Sequence, residues 1–103
     1  MQELTKDTFG GFINSPTPVL VDFWAGWCMP CKILSPVLQE LANEMGSEIT
    51  FGKINIDDFV EVAQQYDIVS IPTLILFKDG KPIDQLVGVR PKHEIEKALR
   101  KHL

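Results

Sequence analysis

The sequence predicts an α/β fold in which helices cover both faces of a central mixed β-sheet. Residues 19–24 form an apolar run broken only by Asp22, which is typical of a central strand buried on both sides. Apolar residues then recur at three- and four-residue steps over 30–45, a helical pattern, and a second strand pattern follows over 49–56. Such a unit places its two strands parallel through a right-handed crossover. The Asp79-Gly80 pair further on predicts a tight antiparallel hairpin, so the sheet contains both strand orientations.

Weaker signals surround this unit in the first half of the chain. Leu4 suggests a short first strand, and a helix is predicted to begin near Asp7. Residues 14–18 contain two prolines and predict a loop. The long helix is expected to end at Gly46, and Pro36 inside it predicts a kink, because proline removes one backbone hydrogen bond.

The second half predicts two more helices and the hairpin. Asp57 or Asp58 is expected to cap a short helix, since Asp58 and Glu61 have the spacing of a capping box. Pro91 is expected to open a last helix. The strands of the hairpin are predicted over 73–77 and 83–87, and the apolar positions that dock the last helix on the sheet are Ile95, Ala98, Leu99 and Leu103.

Size and composition limit the possible functions. At 103 residues the chain is expected to form one domain, 1–103, with a core that needs no disulfide framework. Its hydrophobic content of 45% is ordinary for a globular protein, and no apolar run approaches the ~20 residues of a membrane span. A net charge of -4 argues against a nucleic-acid partner, which would call for a basic patch. The first residues lack a basic and then apolar leader, so we expect a cytoplasmic protein.

The only two cysteines lie two residues apart in the stretch Trp27-Cys28-Met29-Pro30-Cys31. This stretch stands where the strand at 19–24 gives way to the helix. The first turn of a helix presents free backbone N–H groups and a positive dipole end, both of which favour a thiolate. We therefore expect Cys28 to be the acidic, attacking sulfur and Cys31, one turn later, to be the resolving one.

Three other interpretations of the cysteines remain open. A structural disulfide across so short a loop would stabilise the fold by only about 2 kcal/mol. A zinc site would need two more ligands, but His93 and His102 lie nine positions apart in a predicted helix and so face opposite ways. Two unrelated buried thiols are the third possibility.

Asp22 is the one charged residue in the central strand, six positions before Cys28. Burial disfavours a charged carboxyl, so we expect a pKa well above the usual aspartate value. The proposed role is to take the proton from Cys31, through a water, when that thiol becomes the resolving thiolate. Lys53 would tune Asp22 if it points inward. A satisfied structural carboxylate is the alternative for Asp22, and a surface lysine is the alternative for Lys53.

Several separate motifs together resemble the thioredoxin family over almost the whole chain. They are V-D-F-W-A-G-W-C-M-P-C-K at 21–32, K-I-N-I-D at 53–57, S-I-P-T at 70–73, Asp79-Gly80 and Val87-Gly88. The resemblance implies a thioredoxin fold, a three-layer α/β/α arrangement with a mixed sheet of about five strands and about four helices. It also implies a cis peptide bond before Pro72.

The resemblance further implies a thiol–disulfide oxidoreductase that reduces protein disulfides through Cys28 and Cys31. Its partners would be disulfide-containing proteins and a thioredoxin reductase, linked to NAD(P)H or ferredoxin, which returns it to the dithiol form. No cofactor or metal is expected, and the protein should be a monomer.

An apolar docking surface for substrates is expected around the sulfurs. Two positions depart from the usual family pattern: Met29 and Ser70 stand where glycine is common. The bulky side chain of Met29 should lie at the rim of the site and alter the choice of partner. The docking surface comprises Trp27, Met29, Pro30, Ile71, Pro72, Val87 and Gly88.

A different class of function also has to be considered. A redox-silent module could use the same groove to hold extended peptides, and cysteine-dependent turnover would separate the two. A disulfide-forming oxidant is a further enzymatic alternative, which the missing leader sequence disfavours.

Overall fold

The computed structural model describes all 103 residues as five strands and four helices. The sheet has the order β1-β3-β2-β4-β5; β1, β3 and β2 are parallel, while β4 is antiparallel to both β2 and β5. The prediction of a mixed five-stranded sheet with four helices is confirmed. In chain order the elements are β1 (Gln2–Glu3), α1 (Lys6–Ile13), β2 (Val19–Trp24), α2 (Met29–Met45), β3 (Thr50–Asn55), α3 (Val60–Gln65), β4 (Thr73–Lys78), β5 (Lys81–Val87) and α4 (Lys92–Arg100).

Two apolar layers hold the helices to the sheet, one on each face. Successive residues of a strand point to opposite faces. Leu20 of β2 therefore packs with α2 and α4, whereas Val21 packs on the other face among residues of α1 and α3. All of β2 except its last residue is buried, as its apolar run predicts. Asp22 lies on the same face as Leu20, which turns its carboxyl toward α2.

The hairpin and the long helix follow the sequence pattern. Asp79 and Gly80 have φ angles of 53° and 80°, so both central residues of the turn adopt the left-handed conformation that Asp-Gly tolerates. β5 begins at Lys81, two residues earlier than predicted. α2 is one uninterrupted helix that includes Pro36.

Two predictions about helix ends are wrong. Neither Asp57 nor Asp58 caps α3: its N-cap is Phe59, and no side chain caps it. The carboxyl of Asp57 instead accepts a hydrogen bond from Trp27, thirty residues away. Leu103 does not dock α4, because the helix ends at Arg100 and the side chain of Leu103 is exposed.

Candidate active site

Cys28 and Cys31 lie at the start of α2, directly after the central strand, and are joined by a disulfide. Cys28 is the N-cap of the helix, and the backbone N–H of Cys31 donates to the Sγ atom of Cys28 at 3.2 Å. An N-terminal N–H aimed at sulfur stabilises negative charge there once the disulfide is reduced. The local geometry therefore has the features that make a cysteine acidic.

The two sulfurs face different surroundings. The Sγ of Cys28 lies 3.8 Å from the carbonyl oxygen of Ile71, in the segment that leads into β4. The oxidised sulfur has no proton to donate, so this contact becomes a hydrogen bond only in the thiol form. Cys31 instead lines a small cavity that is partly open to solvent.

That cavity brings Asp22 and Cys31 together. It has a volume of about 90 Å³, enough for several waters. The side chain of Asp22 is buried, and its Oδ1 atom has no hydrogen-bond partner. A buried carboxyl oxygen without a protein partner is uncommon, because desolvation costs free energy that no bond within the protein offsets. The remaining lining residues are Trp24, Lys32, Ser35 and Lys53.

Burial raises the pKa of Asp22 from 3.8 to about 7, as expected from its place in an apolar strand. Loss of solvent is the largest cause, since it disfavours the charged carboxylate. The positive charge of Lys53 lowers the pKa, and the negative charge of Glu3 raises it. Asp22 can therefore exchange a proton near neutral pH.

Lys53 is half-buried and lies on the same face of the sheet as Asp22. It is the register partner of Asp22 across β2 and β3 and lines the same cavity. Its Nζ atom lies 5.0 Å from the ring centroid of Trp24 and 3.9 Å from Oε2 of Glu3. No ion pair within 4.0 Å joins it to Asp22, so its charge acts on that carboxyl over a longer distance.

The docking surface surrounds cysteines that are themselves nearly covered, with exposures of 3% and 4%. Trp27 and Met29 are 70% and 63% exposed, so they project from the site as predicted. Pro72 differs from the expectation: its side chain is buried, beneath the surface rather than on it. Of the remaining members, Pro30 and Val87 are exposed and Ile71 and Gly88 are half-buried.

The segment before β4 brings the docking surface to the sulfurs. The Ile71-Pro72 bond is cis, as the resemblance implied. The backbone N–H of Gly88 donates to the carbonyl of Pro72 at 2.8 Å, which joins the end of β5 to this segment. Val69, which we did not predict to be part of the site, is 94% exposed just before it and extends the apolar character of this region.

Asp57 is a site residue that sequence reasoning missed. Its Oδ2 atom accepts a 2.8 Å hydrogen bond from Nε1 of Trp27, and Oδ1 of Asn55 accepts from the backbone N–H of Asp57 at 2.9 Å. The exposed indole is thereby held in one orientation. The only signal in the sequence was an aspartate directly after a strand. An aspartate in that position predicts a helix N-cap as readily as a contact with a distant side chain.

A redox-capable pair of cysteines at a helix N-terminus, on this mixed sheet, defines the class of thiol–disulfide oxidoreductases. The sequence model described as Thioredoxin matches residues 1–101. The chain belongs to the thioredoxin family.

Individual relatives agree with this assignment over nearly the full length. The chain is 48% identical over 96 residues to a thioredoxin of Alicyclobacillus acidocaldarius, covering 93% of this chain and 91% of the relative. It is 49% identical over 101 residues to a thioredoxin of Staphylococcus epidermidis, covering 98% and 96%. The crystal structure of a thioredoxin from Malassezia sympodialis superposes with a TM-score of 0.93 at 33% identity, covering 99% of this chain and 90% of that one.

The protein is thus a dithiol–disulfide oxidoreductase with protein-disulfide reductase activity. Nothing in the fold, the site or the relatives favours a redox-silent binding module. No helix combines the length and apolar character needed to cross a membrane. No group of three or more histidine, cysteine, aspartate or glutamate side chains is arranged to hold a metal ion.

Proposed function

We propose that Cys28 is the nucleophile and Cys31 the resolving cysteine. The observation that carries this division is the different surroundings of the two sulfurs. Cys28 lies beside the carbonyl of Ile71 on the docking surface, and the helix N-terminus favours its thiolate. Cys31 lines the cavity that Asp22 also lines. Cys28 is therefore placed to attack a substrate, and Cys31 is placed to pass its proton to Asp22.

The reaction proceeds as two exchanges. The Cys28 thiolate attacks one sulfur of the substrate disulfide, a mixed disulfide forms, and the other substrate sulfur leaves as a thiolate. Cys31 then gives up its proton and attacks the Sγ of Cys28. The second substrate thiolate leaves, and the Cys28–Cys31 disulfide forms. Two electrons have then passed to the substrate, and the protein is left with the Cys28–Cys31 disulfide that this structure contains.

Asp22 is proposed to accept the proton of Cys31 and to return it in the opposite direction. Support comes from the shared cavity, which has room for a bridging water, and from a pKa of about 7. A carboxyl that titrates near neutral pH can take and release a proton at little cost. Lys53 tunes this carboxyl, since its positive charge stabilises the ionised form.

The docking surface is proposed to receive an extended segment of the substrate around its disulfide. Because both sulfurs are almost covered, a substrate can reach Cys28 only by lying against the side chains around it. Trp27, Met29, Pro30 and Val87 supply exposed apolar contacts. The backbone of Ile71, with the following Pro72, lies beside the sulfur and can pair with the segment as an added strand does. Gly88 completes the rim.

Disulfide-containing proteins and a thioredoxin reductase are the proposed partners, the reductase being linked to NAD(P)H or ferredoxin. The protein is proposed to act as a monomer, because pairing through its exposed apolar residues would cover the site. We place it in the cytoplasm, where reducing conditions suit catalytic rather than structural cysteines. Residues 1–103 would act there as one domain.

Reduction of insulin with NADPH and a thioredoxin reductase tests this function. The protein should accelerate cleavage of the insulin disulfides catalytically, and Cys28→Ser should abolish the effect. Ser47→Ala, which changes an exposed hydroxyl just after α2, serves as a matched control and should retain full turnover. Turnover that survived in the Cys28→Ser variant would contradict the proposal.

A further inference from the structure

Three charged residues form a row across neighbouring strands on the α2 side of the sheet. Glu3 of β1 is the register partner of Lys53 of β3, and Lys53 is in turn the register partner of Asp22 of β2. Register partners of parallel strands project from the same face. The sheet therefore places one ammonium group between two carboxyl groups.

Lys53 is held closer to Glu3 than to Asp22. Its Nζ atom is 3.9 Å from Oε2 of Glu3, and it forms no ion pair with the buried carboxyl. The Glu3 side chain is 60% exposed and that of Lys53 33%, so the pair by itself adds little stability. The position of the pair matters more, because the attraction of Lys53 to Glu3 competes with its attraction to Asp22.

We propose that Glu3 is a positioning residue that acts on Asp22 through Lys53. By attracting the ammonium group of Lys53, Glu3 limits how strongly that positive charge stabilises the ionised form of the buried carboxyl. The proposal rests on the assigned role of Asp22 and adds a residue on the outer strand to that machinery. The pKa of Asp22 agrees in direction, because the negative charge of Glu3 raises it and the positive charge of Lys53 lowers it.

The effect of Glu3 has to be separated from that of the other groups that face Asp22. On the β4 side, the register partner of Asp22 is Leu74, which carries no charge. The charged or titratable groups of the row and the cavity are Glu3, Cys31, Lys32 and Lys53. Cys31 is removed from the titration in the oxidised protein, since a disulfide sulfur has no proton. Lys32 is unchanged in all variants compared below.

The experiment is a titration of the Asp22 carboxyl carbon by NMR in the oxidised protein at low ionic strength. Glu3→Gln should move the midpoint to lower pH by at least about 0.4 to 1.3 pH units. This range is the direct repulsion from a unit charge two strand spacings away at an effective dielectric near 20, with and without salt screening, and the release of Lys53 toward Asp22 adds to it. Glu94→Gln, which removes the same charge from α4 outside the row, should leave the midpoint unchanged.

A double-mutant cycle tests whether Glu3 acts through Lys53. In a Lys53→Gln background only the direct repulsion between the two carboxylates remains, so Glu3→Gln should move the midpoint by less than in the natural protein. A midpoint that stays in place or rises in Glu3→Gln overturns the proposal, and so does an equal shift in both backgrounds. The titration does not depend on turnover. If Asp22→Asn left the resolving step unchanged, the role of Asp22 would fail while the charge row could still be confirmed.

Discussion

Asp22 and Cys31 line the same small cavity, and no protein group pairs with the Oδ1 atom of Asp22 there. Nine positions separate the two residues in the chain, and only the packing of α2 on β2 brings them together. A buried carboxyl oxygen that no protein group pairs is unfavourable for the fold. Its place beside Cys31 supports the proposed role of Asp22 as the proton acceptor for that cysteine.

Asp22→Asn should stabilise the protein at neutral pH and have no such effect in acid. The pKa of Asp22 is raised from 3.8 to about 7, so the folded protein disfavours ionisation. The resulting penalty is absent below pH 3.8, grows as the pH rises toward 7, and is complete above it. At its full extent it amounts to at most about 4 kcal/mol. Denaturant unfolding at pH 3 and pH 8 measures it, and an equal gain at both pH values would contradict this explanation.

The same substitution should slow the second exchange step by roughly 100-fold, within the range of general base catalysis. An asparagine cannot accept the proton of Cys31, whereas attack by Cys28 does not depend on it. Stopped-flow kinetics with a disulfide peptide separates the formation of the mixed disulfide from its resolution. An unchanged resolving rate would leave Asp22 with a structural role only.

Replacing each cysteine separately should show which one attacks the substrate and which one resolves the mixed disulfide. Cys31→Ser should accumulate a stable mixed disulfide between Cys28 and the substrate, because nothing remains to resolve it. Cys28→Ser should form none, since Cys31 lines the cavity and not the docking surface. Mass spectrometry after incubation with a disulfide substrate detects the adduct. Finding it only in the Cys28→Ser variant would reverse the assignment.

Loss of the Asp57 carboxyl should weaken substrate reduction by releasing Trp27. The indole is exposed but fixed by a 2.8 Å hydrogen bond, so Asp57→Ala adds conformational freedom that binding must remove. A bond of about 0.5 to 1.5 kcal/mol corresponds to a 2- to 10-fold fall in kcat/KM. Asp58→Ala is the matched control, because that neighbouring exposed aspartate makes no side-chain hydrogen bond. Equal losses in both variants would indicate a general charge effect instead.

Met29→Ala should raise KM for protein disulfides several-fold with little change in kcat. The side chain is 63% exposed beside Cys28, and burying an apolar side chain of this size contributes about 1.5 to 3 kcal/mol at most. Reduction of a small aromatic disulfide, which does not extend over the docking surface, should be unaffected. Leu103→Ala removes a similarly exposed apolar side chain at the chain end and should change neither substrate. A parallel loss on both substrates in Met29→Ala would point to altered sulfur chemistry rather than docking.

The main elements, the position of the cysteine pair and the raised pKa of Asp22 follow from the sequence alone. These features depend on local rules: the period of apolar residues, the turn preference of Asp79-Gly80, and burial of a carboxyl in a run that is otherwise apolar. The position of Cys28 at a helix start also follows from the order of strand and helix. Asp57 shows the limit of such rules, because its spacing fits a helix cap while the folded chain uses it to hold Trp27.

Contacts between residues that lie far apart in the chain become visible only in the folded structure. Glu3 and Lys53 are joined by the register of two strands, and no local pattern specifies that register across fifty residues of chain. The burial of Pro72 likewise depends on how its segment packs on the site rather than on its own sequence. Local preferences act over a few residues, whereas strand pairing and packing depend on the whole chain. The cysteine pair can therefore be recognised in the sequence, but the row of Glu3, Lys53 and Asp22 cannot.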